Sequence, residues 1–145
     1  MKLPEPFTYF VDRSLGRACV VDALRDAGEK VLAHDDRFAQ DTLDSDWLVE
    51  AGRKRWVVLT KDKNVRRNEL ERIAIVNARV ACFMLGRGDA TAATMGRVFV
   101  EGLPVIRKAL RRFHIPMAAS LSLGGQLRVL LAGGEWLDPP KDIRA

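Results

Sequence analysis

The clearest strand signal in the chain is WVVLTKD, at residues 56–62. Its four apolar residues precede a polar end, a pattern typical of a strand buried on both faces of a sheet. Three other short strands are predicted by similar runs, namely FTYFV at 7–11, KVLA at 30–33 and VACFML at 80–85. Because these runs lack a strict polar alternation, they indicate a parallel sheet with both faces covered.

Helical patterns separate the predicted strands. Apolar residues recur at helical spacing over 15–27, and Ser14 is the predicted N-cap of this helix. A second, shorter helix is predicted to begin at Thr42 or Ser45, and a third covers 69–77. Strands that alternate with helices predict an α/β protein with a central, mainly parallel sheet and helices on both faces.

The pattern changes toward the C-terminus. A long helix is predicted over 89–112, and Pro104 inside it is expected to kink or split the helix. Two strand-like runs follow at 115–123 and 126–131, separated by a Gly-Gly pair. This arrangement predicts a C-terminal β-hairpin.

Length and composition limit the class of protein. A chain of 145 residues is expected to form one domain, here 1–132, followed by a loose tail at 133–145 that contains two adjacent prolines. Its apolar runs are far shorter than the roughly 20 residues of a membrane span, and no signal-peptide core is visible. The two cysteines lack metal-ligand spacing, so neither a disulfide scaffold nor a zinc site is predicted and a reducing cytoplasm is the expected location.

Charge is distributed unevenly along the chain, whose formal net charge is +5. Residues 22–50 carry nine acidic against three basic side chains, whereas residues 53–79 carry nine basic against three acidic ones. An enzyme that cleaves phosphodiesters with a metal ion needs carboxylates for the cation and basic groups for the substrate. Simple charge balance between two solvated faces explains the same counts, so both interpretations stay open.

Three acids are predicted to lie near one edge of the sheet. Asp12 and Asp62 follow the first and third predicted strands, and Asp46 begins the helix that leads into the third strand. Ligands of open parallel sheets bind outside the carboxyl ends of the strands, and carboxylates that converge there need a neutralising cation. Oxygen ligands favour Mg²⁺ or Mn²⁺. The alternatives are that Asp62 caps the following segment and that Asp46 complements a helix dipole.

Three segments resemble the PIN-like domain family, the nuclease fold of VapC-type toxins and their relatives. They are FVDRSL at 10–15, DWLVEA at 46–51 and VVLTKDKN at 57–64, in the order and at the separations of that family. The resemblance covers roughly residues 7–131. It implies a three-layer α/β fold and a metal-dependent endoribonuclease, plausible as the toxin of a bacterial toxin–antitoxin pair.

The resemblance also implies specific roles. Asp12, Asp46 and Asp62 would be the catalytic metal ligands for Mg²⁺ or Mn²⁺, with RNA as substrate, an antitoxin protein as partner and a homodimer left open. Many members carry a fourth acid where this chain has Asn64, and Glu50, one turn after Asp46, is the potential substitute. The basic residues expected to contact RNA phosphates are Arg13, Lys61, Lys63, Arg66 and Arg67.

Two other functions remain open from the sequence. A catalytically silent PIN-like module that binds RNA or a protein partner is consistent with the amide at Asn64. A phosphoaspartate receiver fits less well, because it requires an acidic pair after the first strand and only Asp12 stands there.

Overall fold

The structure is a computed structural model that describes residues 1–86 and 88–144. Within these residues one seven-stranded sheet runs in the order β2-β1-β3-β4-β5-β6-β7. The strands are parallel from β2 through β5, and β6 and β7 are antiparallel. Their bounds are β1 Thr8–Val11, β2 Lys30–Ala33, β3 Val57–Lys61, β4 Ala81–Leu85, β5 Met117–Leu121, β6 Leu127–Ala132 and β7 Glu135–Ile143.

Helices cover both faces of the sheet, which confirms the predicted α/β class. Residues of α1 and α5 pack into one apolar core, and residues of α3 and α4 pack into the other. Each core therefore lies between the sheet and one helical layer. The helices are α1 Cys19–Asp26, α2 His34–Arg37, α3 Asp44–Lys54, α4 Glu69–Ala78 and α5 Ala92–Arg112.

The first strand contributes to both cores, because its successive side chains point to opposite faces. Tyr9 and Val11 join the core beneath α1 and α5, whereas Phe10 joins the core beneath α3 and α4. The ring of Phe10 lies 5.3 Å from that of Trp47 and 5.4 Å from that of Trp56. These aromatic contacts hold the start of α3 against the end of β1.

The first predicted helix begins later than the sequence pattern indicates. Residues Arg13–Leu15 form a single 3₁₀ turn, Gly16 adopts a φ of 91°, and α1 begins only at Cys19. The prediction that Ser14 caps this helix is therefore wrong, because a left-handed residue separates it from α1. Neither Thr42 nor Ser45 caps α3, whose N-cap position is Leu43.

Helix α5 is continuous from Ala92 to Arg112, so the prediction of a split at Pro104 is wrong. Pro104 lies on the exposed side of the helix, where water can satisfy the carbonyl left without its donor. Buried residues on the opposite side, such as Leu103 and Ile106, hold both halves against the sheet.

The predicted C-terminal hairpin is present as β5 and β6. The loose tail is a wrong prediction for the described residues, because Glu135–Ile143 forms β7, pairs with β6 and buries Ile143. Its prolines are tolerated because β7 is an edge strand and its pairing with β6 is irregular between Val129 and Leu131. Ala145, the last residue of the predicted tail, lies outside the described residues. No helix in the described part of the chain is long and apolar enough to cross a membrane.

Candidate active site at the carboxyl edge of the sheet

Two of the predicted acids emerge from adjacent parallel strands. Asp12 follows β1, and its backbone N–H donates to the carbonyl of Leu59 in β3 at 2.9 Å. Asp62 follows β3, and its N–H donates to the carbonyl of Leu85 in β4 at 2.9 Å. Both acids therefore begin at the carboxyl edge of the sheet, where ligands bind in this class of fold.

Asp12 is held by hydroxyl groups at the bottom of this edge. Only 4% of the residue is exposed, and its Oδ2 accepts hydrogen bonds from Ser14 Oγ at 2.8 Å and Thr60 Oγ1 at 2.7 Å. Ser14 Oγ in turn accepts from the backbone N–H of Lys61 at 3.1 Å. The 3₁₀ turn that prevents Ser14 from capping α1 thus allows it to fix the orientation of the carboxylate.

Lys63 connects Asp12 to a second acid. Its ammonium lies 4.0 Å from Asp12 Oδ2 and directly contacts Asp44 Oδ2 in the first turn of α3. The indole N–H of Trp47 donates to the other oxygen of Asp44 at 3.0 Å. Carboxylates from β1 and α3 therefore share one cationic group, which offsets their mutual repulsion.

A small cavity adjoins this ammonium. Its volume of about 20 Å³ is close to that of a single water-sized sphere. The polar side of the cavity includes Glu71 on α4, whose charge also acts on Lys63. The lining residues are Asp44, Trp47, Leu48, Thr60, Lys61, Lys63, Val65, Glu71, Ile75, Cys82 and Met84.

Cys82 lies in the apolar part of the cavity lining and is not suited to nucleophilic catalysis. Burial, together with the nearby charge of Asp12, raises the pKa of its thiol to about 12. The thiol therefore stays protonated at neutral pH, and only the thiolate is a strong nucleophile.

Asp44 and Lys63 stabilise each other's charged forms. Burial opposes ionisation of Asp44, but the hydrogen bonds from Lys63 and Trp47 hold the pKa of its carboxyl below the ordinary value. Burial likewise opposes the charge of Lys63, yet the contact with Asp44 and the charge of Asp12 keep the pKa of its ammonium above the ordinary value of 10.5.

These pKa shifts predict how stability depends on pH. The lowered pKa of Asp44 contributes stability above its ordinary value of 3.8 that is lost as pH falls through the folded value. The raised pKa of Lys63 contributes stability below 10.5 that is lost as pH rises through the folded value. We expect Lys63→Met to flatten both limbs of a plot of the urea unfolding midpoint against pH, modestly because the pair is partly exposed. The matched control is Lys54→Met on α3, and parallel curves for wild type and Lys63→Met would contradict the prediction.

The other predicted ligands differ in their surroundings. One oxygen of Asp62 accepts the backbone N–H groups of Asn64 at 2.8 Å and Val65 at 3.3 Å, so Asp62 shapes the turn after β3. Asn64 has a φ of 60°, a conformation that both Asn and Asp tolerate better than most residues. Glu50 is paired with Arg53 at 2.7 Å. Asp46 is exposed, and within the described residues its side chain makes no hydrogen bond or ion pair.

The predicted phosphate-binding residues fall into three places. Arg13 is paired with Asp35 at 3.2 Å and donates to the carbonyl of Gln40 at 3.1 Å, which holds it on the loop before α3. Lys63 lies at the cavity, whereas Lys61, the last residue of β3, borders both this cavity and a second depression beside Asp89 and Thr91 at the start of α5. The two remaining residues, Arg66 and Arg67, are exposed on the segment that leads into α4.

Sequence reasoning missed Asp44 and Glu71. Asp44 lies three residues before the buried Trp47 and so shares its helix face, a signal that would have identified it. Glu71 lies four residues before the buried Ile75 and shares its face of α4 in the same way. Thr60 lies 48 residues from Asp12 in the sequence, and no local pattern predicts that its hydroxyl and that of Ser14 bind the same carboxylate oxygen.

The donor atoms of this site suit a divalent cation. They are carboxylate and hydroxyl oxygens, which suit Mg²⁺ or Mn²⁺, and the ammonium of Lys63 shows that a positive charge is accommodated between Asp12 and Asp44. Among residues 1–86 and 88–144, no group of three or more His, Cys, Asp or Glu side chains is positioned to hold a metal ion directly. A divalent cation at this edge would therefore be held by Asp12 and Asp44 with water completing its ligands.

Comparison with known proteins shows the family of this chain. A family model described as "PIN like domain" matches residues 7–87, which contain β1 to β4 and the acids Asp12, Asp44 and Asp62. A protein of Mycobacterium tuberculosis named "Putative ribonuclease VapC45" is 32% identical over 106 residues, which are 70% of this chain and 77% of that protein. No solved structure gives a significant match.

Proposed function

The chain belongs to the PIN-like domain family, and from this premise we propose that it is a metal-dependent endoribonuclease, the toxin of a toxin–antitoxin pair. One observation carries the proposal: the buried carboxylate of Asp12 lies at the carboxyl edge and shares a single ammonium with Asp44. Concentrated negative charge of this kind is suited to a cation that activates the hydrolysis of a phosphodiester. The sequence identity of 32% to a protein named a putative ribonuclease supports RNA as the substrate.

The residues proposed to hold Mg²⁺ or Mn²⁺ come from β1, α3 and β3. Asp12 and Asp62 keep the ligand role that the sequence predicted for them. The third acid comes from α3 and is either Asp46 or Asp44. The contact between Asp44 and Lys63 favours Asp44. When bound, the cation would polarise a phosphoryl oxygen and lower the pKa of a water ligand.

The protein's own groups prepare this chemistry. Ser14 and Thr60 donate to Oδ2 of Asp12, the oxygen that also faces Lys63, and these hydrogen bonds fix the orientation of the carboxylate. Asp62 uses one oxygen for the turn at Asn64, and its second oxygen remains for the cation. Lys61, at the end of β3, stays the residue proposed to bind a phosphate oxygen of the substrate, whereas Arg13 is already engaged by Asp35.

The proposal includes partners and a location. A toxin of this class would act on RNA in the cytoplasm and bind an antitoxin protein that blocks it. Self-association as a homodimer is a separate part of the proposal. Copurification of the chain with the product of the adjacent gene would test the antitoxin, and sedimentation of the isolated chain would test the dimer.

A catalytically silent module that binds RNA is the second candidate. It is favoured by Asn64 in place of a fourth acid and by the absence, among the described residues, of three metal-ligating side chains in direct reach of one ion. Lys63 would then be a permanent counter-ion of Asp12 and Asp44. The two candidates share the fold and differ in their response to metal.

Removal of metal distinguishes these candidates. We expect EDTA to abolish cleavage of single-stranded RNA, and excess Mg²⁺ or Mn²⁺ to restore it, because the cation activates the attacking water. In the absence of RNA, Mn²⁺ should raise the Tm of the wild type, since a ligand that binds only the folded state stabilises it.

The matched control for this experiment is Asp12→Asn, whose Tm should respond much less to Mn²⁺. Binding of RNA without cleavage at any metal concentration would support the silent module. Cleavage that persists in EDTA would contradict the metal-dependent proposal.

A further inference from the structure

A basic groove lies beside the candidate active site, between α4 and the start of β7. Its volume is about 500 Å³, far larger than the cavity at Lys63. Arg66, Arg67 and Arg72 line it together with a single acid, Glu69. Trp136 of β7 forms part of the opposite wall, and a second depression of about 290 Å³ continues from it past Arg66 and Arg72. The groove therefore combines a positive charge excess with a half-buried aromatic ring.

The arginines of this groove differ from others of the chain in their ionic contacts. Among the described residues, Arg66, Arg67 and Arg72 form no ion pair, whereas arginines elsewhere such as Arg111 and Arg128 are paired with carboxylates. Unpaired guanidinium groups in a concave surface attract a polyanion and bind its phosphates.

Trp136 and Arg72 form a stacked pair. The guanidinium carbon of Arg72 lies 4.3 Å from the centre of the Trp136 ring, and Trp136 is only half-buried. Nucleic-acid bases stack on aromatic rings and on arginine planes, and this interaction tolerates any base sequence. The pair is therefore a platform for one unpaired base, with Arg66 and Arg67 nearby for the phosphates.

Helix α4 joins the groove to the active site. Glu71 and Ile75 line the cavity at Lys63, whereas Arg72 and Val76 of the same helix line the groove. A strand in the groove would therefore pass along α4 and reach the carboxylates over the segment that carries Lys63 and Arg66. The family match ends at residue 87, so β7, which supplies Trp136, lies outside the matched region.

We propose that this groove holds a single-stranded segment of the RNA several nucleotides away from the cleaved phosphodiester, with one base stacked on the Arg72–Trp136 pair. The inference rests on the proposed function, because it extends the substrate site of that ribonuclease. Double-stranded RNA is excluded from the platform, since its bases are already stacked on one another. The favoured substrate is thus unpaired RNA that extends several nucleotides beyond the cleaved bond.

The test measures RNA binding by the full chain in the Asp12→Asn background, so that cleavage does not interfere. The probe is a fluorescein-labelled, mixed-sequence single-stranded RNA of about 12 nucleotides, within the size range of single-strand sites. Trp136→Leu should weaken binding about 5- to 100-fold without changing its salt dependence, because stacking and not phosphate contact is lost. Trp136→Phe should retain most of the affinity. Arg66→Gln should reduce the salt slope by about 0.7, the value for one phosphate contact on a single strand.

The matched control is Arg97→Gln, which removes the same charge from an exposed position on α5, at the opposite face of the sheet. Its affinity for the RNA should equal that of the background. RNA should also quench the fluorescence of Trp136, since Trp47 and Trp56 are buried at 2% and 8% exposure. Unfolding of Trp136→Leu would show in its Tm, and Trp136→Phe with the quenching assay then carries the test.

Failure of this inference is distinguishable from failure of the proposed function. If wild type cleaves RNA but Trp136→Leu in the Asp12→Asn background binds RNA as tightly as Asp12→Asn alone, the groove proposal is overturned and the ribonuclease stands. If wild type neither binds nor cleaves the RNA, both proposals are overturned. The RNA assignment would likewise be overturned if Trp136→Leu weakened binding of an acidic protein and left the affinity for RNA unchanged.

Discussion

Replacing Asp12 with Asn should lower the rate of RNA cleavage by about 1000-fold. The substitution removes one proposed metal ligand, and a bound metal ion contributes several kcal/mol of transition-state stabilisation. The amide preserves the shape of the side chain and still accepts hydrogen bonds from Ser14 and Thr60. It removes the negative charge that faces Lys63. Initial rates on a fluorescent single-stranded RNA, at saturating Mg²⁺ or Mn²⁺, measure the effect.

Stability separates a catalytic from a structural role of Asp12. We expect the Tm of Asp12→Asn to stay close to that of wild type, because Lys63 keeps Asp44 as a partner and carboxylate repulsion is relieved. Asp26→Asn, an exposed acid on α1, controls for the loss of one charge and should retain full activity. An unfolded Asp12→Asn variant would make Asp12 structural, and full activity would remove it from the mechanism.

The sheet was predictable because its information is local. Apolar runs such as FTYFV and WVVLTKD bury both faces of their strands, and they fold as strands in the order predicted. The errors arose where tertiary structure overrides local preference. Ser14 is a favourable helix cap by composition but is used to hold Asp12, and the prolines near the C-terminus are tolerated because β7 is an edge strand.

The site was predictable only where strands position it. Asp12 and Asp62 follow parallel neighbours, so topology alone brings them to one edge. Lys63 was predicted to contact RNA phosphates, a role that stays a prediction, but its observed partners are Asp12 and Asp44. A long, flexible side chain can reach several partners, and sequence spacing does not select among them.

The acid on α3 is a question of helical phase. Successive residues of an α-helix are rotated by about 100°, so residues two apart differ by about 200° and face opposite directions. Asp44 and Asp46 therefore cannot both point toward Asp12. Asp44 shares its face with the buried Trp47 and contacts Lys63, while Asp46 is exposed to solvent.

This geometry predicts a large difference between two matched variants. Asp44→Asn should lower RNA cleavage by about 100-fold or more, because it removes a carboxylate from the group that shares the cation. Asp46→Asn removes the same charge from the same helical turn and should keep most of the activity. Both should retain the wild-type fold, which the Tm checks.

Cation binding should show the same order without any RNA. The stabilisation of the folded chain by Mn²⁺ should be smaller in Asp44→Asn than in Asp46→Asn, because binding to the folded state alone sets that stabilisation. The reverse order in both assays would restore Asp46 as the ligand predicted from sequence and would require α3 to rotate when the cation binds. Equal, large losses in both variants would mean that the start of α3 reorganises around the cation, since a regular helix cannot direct both side chains to one ion.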